Sequence, residues 1–553
     1  MCAAEPRASR GRSQGVGSTA VGRRSASGER LSPRARVPRR ARVVVVGAGL
    51  GGLAVALRLQ SAGCEVTVVE RLDRPGGRAG MARAGAYRWD TGPTLVTMPE
   101  LVRETLAAGG VDPDALGMVP VDPLYTIEWA DGTRLSFPRG RENLLAEVER
   151  SWPAEVAGVA RLLDKLEPLY RLLLEVADRP FASVFDQLAL VPRLARHDGL
   201  VPLWSLVAKH VRDRHLRDAL AFHPLFIGGD PFRVPAVYGG LVPLQLESGG
   251  WYPDGGVWSL VGTLAAPLDI EFGARCARIV RASSGAVRAV ELDGGGRIAC
   301  DAVVWNGDPY AVERALGRRR ERRGRSRLAR PSMSCLLFYF GFARRLPRLA
   351  HHHLWVGGEL RPFVSWATAR RSARRPRIAR GRRRRPPAIA MYVHAPARSD
   401  PSVAPPGGDA LAVLVPVPNL GAAARCGYSI GELREQVLAA LERISGLSDL
   451  REWLEVEEVF TPFDFRDRYD AYAGNAFALE PTLFGSGWFR RHNRDRRVPG
   501  LYHVGAGAHP GAGIPGVLLG ARLTARLLTA DLRQRGLLGP TGAGKNAAEG
   551  ARQ

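Results

Sequence analysis

At 553 residues, 45% of them hydrophobic, the chain exceeds the usual size of one domain and can bury a substantial core, so two domains are expected. Its six cysteines, Cys2, Cys64, Cys276, Cys300, Cys335 and Cys426, contain no CxxC pair, which argues against a disulfide framework or a cysteine zinc site and for reduced thiols inside a cell. The net charge of +25 sits in three short runs, residues 1–42 (+9), 318–330 (+7) and 366–385 (+10); a nucleic-acid face would spread over folded elements, so no nucleic-acid partner is expected.

Residues 1–41 are rich in Ser, Gly and Arg with almost no large apolar side chains, and are expected to be a disordered basic tail. No apolar h-region is present, which excludes a secretory signal; a transit peptide and an overlong start both fit the composition. At residue 42 the character changes. Val43 to Val46 read as a parallel strand buried on both faces, running directly into Gly47, Gly49 and Gly52. Gly47 permits the tight turn, Gly49 lets the backbone approach a pyrophosphate, and Gly52 lets the next helix pack on the strand. That helix, about residues 51–62, presents its N-terminus to phosphates, and a second strand ends at Glu70, placed to accept hydrogen bonds from a ribose. Strand, glycines, helix, strand and acid in this order specify a dinucleotide site. On this motif alone, NAD and FAD both fit.

The segment ERLDRPGGRAG, Glu70 to Gly80, follows the acid with a paired glycine and an arginine. More than four hundred residues later comes LYHVGAGAHPGAGIPGVLLGAR, residues 501–522. Between them stand DTGPTLVTMP (Asp90 to Pro99), FHPLFIGGDPF (Phe222 to Phe232), GGWYPDGGVWSLV (Gly249 to Val261), DAVVWNGDP (Asp301 to Pro309) and a long stretch from Met391 to Leu420. Together these resemble the glutathione-reductase-like flavoproteins of the amine oxidase and phytoene desaturase type, and most closely the bacterial carotenoid desaturases, over most of residues 42–530. The resemblance implies FAD, with Arg78 reaching its phosphates, Gly76 and Gly77 letting the backbone pass close, and Arg71, Cys276, Gly505, Gly507, Gly513, Ile514 and Pro515 completing the site around Gly47, Gly49, Gly52 and Glu70. The chain departs from the family at His503, where an aliphatic residue is usual, at Cys276, where valine is usual, and in the arginine-rich run 366–385. For that run a local reading-frame error stands against a solvated basic loop.

Three other motifs are set aside. GPTGAGKN, Gly539 to Asn546, has P-loop glycine spacing, but Asn546 replaces the magnesium-binding hydroxyl and no apolar strand leads in; residues 533–553 are expected to be a flexible tail. GYSIG, Gly427 to Gly431, has the spacing of a hydrolase elbow, but Ser429 and Glu432 form a capping box ahead of an amphipathic helix. His351, His352 and His353 alternate faces in an extended segment, so they are read as a loop or strand end and no metal site is expected.

The expected architecture is an α/β, Rossmann-like FAD-binding domain in three pieces, residues 42–105, 240–312 and 495–532, with an inserted α+β substrate domain from 106–239 and 313–494. Residues 185–220 mix Leu, Val and Trp with Arg, Lys and His as an interfacial helix pair would, while no stretch reaches about 18 uninterrupted apolar residues. The expectation is a monotopic enzyme, cytoplasmic and held at the inner face of the cell membrane, with a hydrophobic polyene as substrate and quinone or oxygen as electron acceptor. The resemblance implies desaturation of a linear C40 carotenoid precursor such as phytoene. A carotenoid isomerase, a later-stage desaturase, a terminal oxidase and a non-catalytic prenyl-lipid carrier of the same fold are the alternatives. A hydrocarbon must lose a proton as well as a hydride, so a weak base is sought; His509 and then Asp90 are the candidates.

Overall fold

The computed structural model describes residues 40–318, 329–369, 386–423 and 426–539. Most of the basic N-terminal tail, most of the two internal arginine runs and the P-loop-like segment lie outside the described residues. From Arg40 onward the chain forms one contact-dense unit built on two large sheets.

The first sheet is parallel and has five strands in the order Leu501–His503, Ala302–Trp305, Arg42–Val46, Glu65–Val69, Ile270–Glu271. Its side chains alternate between two layers. Val43, Val45, Val68, Ala302, Val304 and Tyr502 face the helices Leu50–Ser61, Val257–Ala265 and Ile514–Gln534. Val44, Val46, Val69, Val303, Trp305 and Leu501 face an antiparallel three-stranded sheet, Cys276–Arg281, Val287–Leu292 and Arg297–Ala299, and the short helix Ala311–Ala315. The valine run is thus continuous because both faces of its strand are covered. Every strand of this sheet comes from the three segments expected to bind the nucleotide.

The second sheet has seven strands in the order Leu454–Phe460, Ser334–Phe342, Asp409–Val417, Ala390–His394, His352–Val356, Tyr125–Trp129, Arg134–Phe137, antiparallel except where His352–Val356 pairs with Tyr125–Trp129. All seven come from the two intervening segments. Alternation again sorts the layers: Leu336, Phe338, Phe340 and Phe342 join the large helical core, whereas Cys335, Leu337 and Tyr339 pack on Tyr87 and Trp89 of the hairpin Met81–Ala84 and Tyr87–Asp90. Trp89 Nε1 donates to Phe340 O at 3.1 Å, and Met118–Val121 pairs with Gly250–Pro253. Contacts of this kind bind the two sheets together, so the substrate segments are not a separable body.

Residues 185–220 differ from the expected helix pair. They form four short helices, Val184–Leu188, Val191–Arg196, Leu203–His210 and Arg214–Ala221. The cause is local: Pro192, Gly199 and Pro202 interrupt the periodicity, and the Asp213 carboxylate restarts it by accepting the amides of His215 and Leu216. Farther on, Ser429 Oγ accepts the Glu432 amide at 3.4 Å at the start of Ile430–Ser445, which gives the GYSIG serine a capping role.

Candidate functional site

A cavity of about 540 Å³ runs from the glycine loop at the edge of the parallel sheet to the face of the seven-stranded sheet. At its first end the wall is backbone. Gly47 turns with φ +102, and Gly52 lies so close to it that a Cβ there would stand 2.0 Å from Gly47 O. Gly76 N donates to Ala48 O at 2.8 Å, which lays the Pro75 to Arg78 segment against the glycine loop. Glu70 accepts the amides of Ala48 (2.7 Å) and Leu72 (2.9 Å), and burial pushes its carboxyl up against the opposing pull of those amides. Arg71, Arg275 and Cys276 close this end, with Arg71 donating to Asp467 O at 2.8 Å and pairing with Asp470 at 3.2 Å.

Arg78 is half-buried on the cavity wall. It donates to Asn475 O at 3.3 Å, its Nε finds no partner among the described residues, and burial pulls its guanidinium downward while Asp308 opposes. A half-buried cation with a buried spare donor beside a glycine loop is suited to an anion. Opposite it, Gly505 and Gly513, with φ +87 and +96, bring in the helix Ile514–Gln534, whose first residues Ile514 and Pro515 line the cavity and whose N-terminus no side chain caps among the described residues. Asn306 joins the two halves. Its Nδ2 donates to Gly47 O at 3.1 Å, and a Cβ at Gly49, Gly51 or Gly505 would come within 2.9 Å of its amide. Sequence reasoning missed Asn306, although it directly follows the buried strand Ala302–Trp305 that pairs with Arg42–Val46.

Of the sequence-derived residues, Gly47, Gly49, Glu70, Arg71, Gly76, Gly77, Arg78, Cys276, Gly505, Gly513, Ile514 and Pro515 stand together on this wall. Gly52 and Gly507 act behind it: a Cβ at Gly507 would lie 2.6 Å from Pro309. The two candidate bases are corrected. His509 Nε2 pairs with Val176 O at 3.0 Å, its ring stands edge-on to Phe181 at 5.2 Å, and burial pulls it down to about 4. It ties the C-terminal motif to the end of the helix Val156–Ala177. Asp90 accepts the amides of Val257 and Trp258, each at 3.1 Å, and so caps Val257–Ala265; burial pushes it up to about 6. Neither side chain is on the cavity wall among the described residues.

The rest of the cavity is apolar. Ile127, Trp129, Leu174, Phe222, Phe226 and Trp355 form its walls, with Asp218, pushed up to about 6 by burial, and His223, pulled down to about 3, as titratable members. His223 Nε2 is 2.6 Å from Tyr125 OH. The three-histidine run also differs from the expectation. His353 turns to Glu128 at 3.6 Å, but His351 and His352 meet His394 of the neighbouring strand. His351 precedes the strand and escapes its alternation, and strand pairing supplies the third ring.

A family profile for the flavin containing amine oxidoreductases matches residues 50–529, and one for the pyridine nucleotide-disulphide oxidoreductases matches residues 6–89. The lycopene-forming phytoene desaturase of Pantoea ananas is 35% identical over 500 residues, covering 88% of this chain and 99% of that protein. The chain belongs to the phytoene desaturase family of flavin-containing amine oxidoreductases. The zeta-carotene-forming phytoene desaturase of Myxococcus xanthus is 34% identical over 521 residues, covering 92% of this chain and 98% of that protein. Putrescine oxidase bound to putrescine, at 18% identity and a TM-score of 0.61 over 90% of this chain and 99% of that one, shares the fold. The cofactor is FAD, and the protein is an FAD-dependent oxidoreductase. The glycine wall, Arg78 and the uncapped helix fit its pyrophosphate and ring, and Glu70 closes the ribose end.

Proposed function

We propose that the protein desaturates phytoene or a closely related linear C40 polyene. The single observation that carries this reading is the continuity of the cavity, which leads from the nucleotide wall into an arm lined by Ile127, Leu174, Phe222 and Phe226. The walls of that arm are mostly apolar around Asp218 and His223, and apolar walls that exclude water are what a hydrocarbon calls for.

When bound, FAD supplies the two-electron oxidation, taking the equivalent of a hydride for each double bond made while one proton leaves the substrate. The chain's own residues hold and shield. Arg78 and the amides of Gly49 and Gly51 would hold the phosphates, and Asn306 fixes the glycine loop against Gly505. The aromatic walls align the polyene, since Phe226 stands edge-on to Phe222 (5.3 Å) and to Tyr392 (6.1 Å) and is thereby held in place. Asp218, whose carboxyl burial pushes up to about 6, gives the arm a group able to accept a proton.

No helix among the described residues is long and apolar enough to cross a membrane. Phe185 (73% exposed) and Leu188 (54%) instead project from Val184–Leu188, an exposed apolar pair that suits a bilayer interface. We place the protein at the cytoplasmic membrane surface on that support. Incubating the FAD-loaded protein with phytoene in liposomes should produce polyene bands at longer wavelength; phytoene unchanged by a flavin-bearing protein would remove it as substrate. Running the assay without oxygen, with and without added quinone, distinguishes the two electron acceptors. Flotation should carry the protein with anionic vesicles, and Phe185→Asp should leave it in the soluble fraction.

A further inference from the structure

We propose that His351, His352 and His394 form a binding site for a first-row divalent metal ion, with Zn²⁺ the best match. The three rings are buried, and each presents a nitrogen within 4.8 Å of the others'. His351 Nε2 and His394 Nε2 stand 3.1 Å apart. Imidazoles on a tetrahedral zinc, with Zn–N bonds of about 2.0 Å, have nitrogens about 3.3 Å apart, so a small ring movement admits the ion.

Two of the three outer nitrogens are already held. Ser399 Oγ lies 2.7 Å from His351 Nδ1, and Tyr392 OH lies 2.6 Å from His352 Nδ1, the arrangement by which hydroxyls orient metal-bound imidazoles. What remains is unused: His352 Nε2 and His394 Nδ1 are buried and find no partner among the described residues. The nearby Arg398 charge is neutralised by Asp409, so it opposes a cation little. All-nitrogen donors favour zinc over calcium or magnesium, and three protein ligands leave a fourth position for water or hydroxide.

Such an ion would tie two pieces of chain together. His352 and His394 are direct partners across two strands of the seven-stranded sheet, and His351 leads into the first of them. It would also fix Tyr392, whose hydroxyl lies 2.5 Å from Thr94 Oγ1 on the cavity wall. The site is therefore positioned to set the shape of that wall.

The test uses the full-length, FAD-loaded protein, stripped with chelator, dialysed against buffered Zn²⁺ and counted by elemental mass spectrometry. One ion per chain is expected, bound about tenfold or more weakly in His352→Gln and in His394→Gln and unchanged in His353→Gln. Zinc in fewer than about one chain in ten, or zinc that survives both substitutions, overturns the proposal. Should the variants not fold, as judged by bound flavin and circular dichroism, X-ray absorption of the zinc-loaded wild type decides. Nitrogen neighbours at about 2.0 Å support the site, and a sulfur or all-oxygen shell sinks it.

Discussion

At one end of the cavity the wall is backbone: Gly47, Gly49, Gly76, Gly505 and Gly513, set by two tight turns and a helix start. At the other end it is side chains: Ile127, Trp129, Phe222, Phe226 and Trp355, gathered from segments more than two hundred residues apart. The first end recognises a ligand through amides that every residue has, so its information lies in what must be missing, a Cβ. The second recognises through shape, so its information lies in what is present and in how distant elements pack. Substitutions should therefore fail in opposite ways at the two ends.

The largest effect is expected from adding atoms at the backbone end. A Cβ at Gly52 meets Gly47 O at 2.0 Å, and that oxygen belongs to main chain that cannot step aside. Gly52→Val should yield protein without flavin, with a stability loss above about 3 kcal/mol; absorbance near the flavin maximum and thermal melting check it. A normal flavin content in this variant would break the comparison. Arg78→Met comes next. Removing one charge-assisted phosphate contact costs about 1.5–3 kcal/mol, or about 10- to 100-fold in FAD affinity, with the fold intact. Titration of apoprotein with FAD reads this directly.

The same contrast explains how much of the molecule was legible in its sequence. Val43 to Val46, Gly47, Gly49, Gly52 and Glu70 declare a strand, a turn, a helix and a second strand because each requirement is local, and the site they implied stands together on one wall. The strands of the parallel sheet come from segments far apart in the chain, and the glycine motifs at either end line one cavity. What failed was direction. His509 sits within the C-terminal motif, yet its ring points to Val176, and Asp90 opens DTGPT yet spends its carboxylate on Val257 and Trp258. Nearness along the chain to a binding motif fixes a backbone and leaves the side chain to packing. Asn306 was missed for the converse reason: its role depends on Gly47, 259 residues away. His394 joins His351 and His352 only through strand pairing, which no periodicity in the triple-histidine run reports.

If His509 is an anchor and not a base, its signature should appear in stability. Its folded value lies near 4, below the 6.5 of a free ring, because burial excludes the charged form. Above pH 6.5 both states are neutral. As the pH falls from 6.5 to 4 the unfolded ring binds a proton that the folded one refuses, so the stability it contributes is lost across that window. His509→Gln cannot titrate and should lose less stability over the same range, by an amount on the order of 1–3 kcal/mol. Melting temperatures followed from pH 7 to 4 test this; a decline as steep as that of wild type would return His509 to an unshifted, solvent-reached group.

The smallest effect is expected where sequence departs from family but the wall is backbone. Cys276 borders the nucleotide end beside Glu70 and Arg275 in place of the usual valine, and burial pushes its thiol up to about 12, which keeps it neutral and makes it a small apolar group. Cys276→Val exchanges one such group for another at the start of a strand, Cys276–Arg281, where a β-branched residue fits well. Stability should change by less than about 0.5 kcal/mol and FAD affinity by less than about threefold. Cys276→Ser keeps the size but adds a polar hydroxyl, and it should be the worse of the two. If instead valine weakens FAD binding by an order of magnitude while serine does not, the thiol itself touches the cofactor, and the nucleotide end is read through side chains after all.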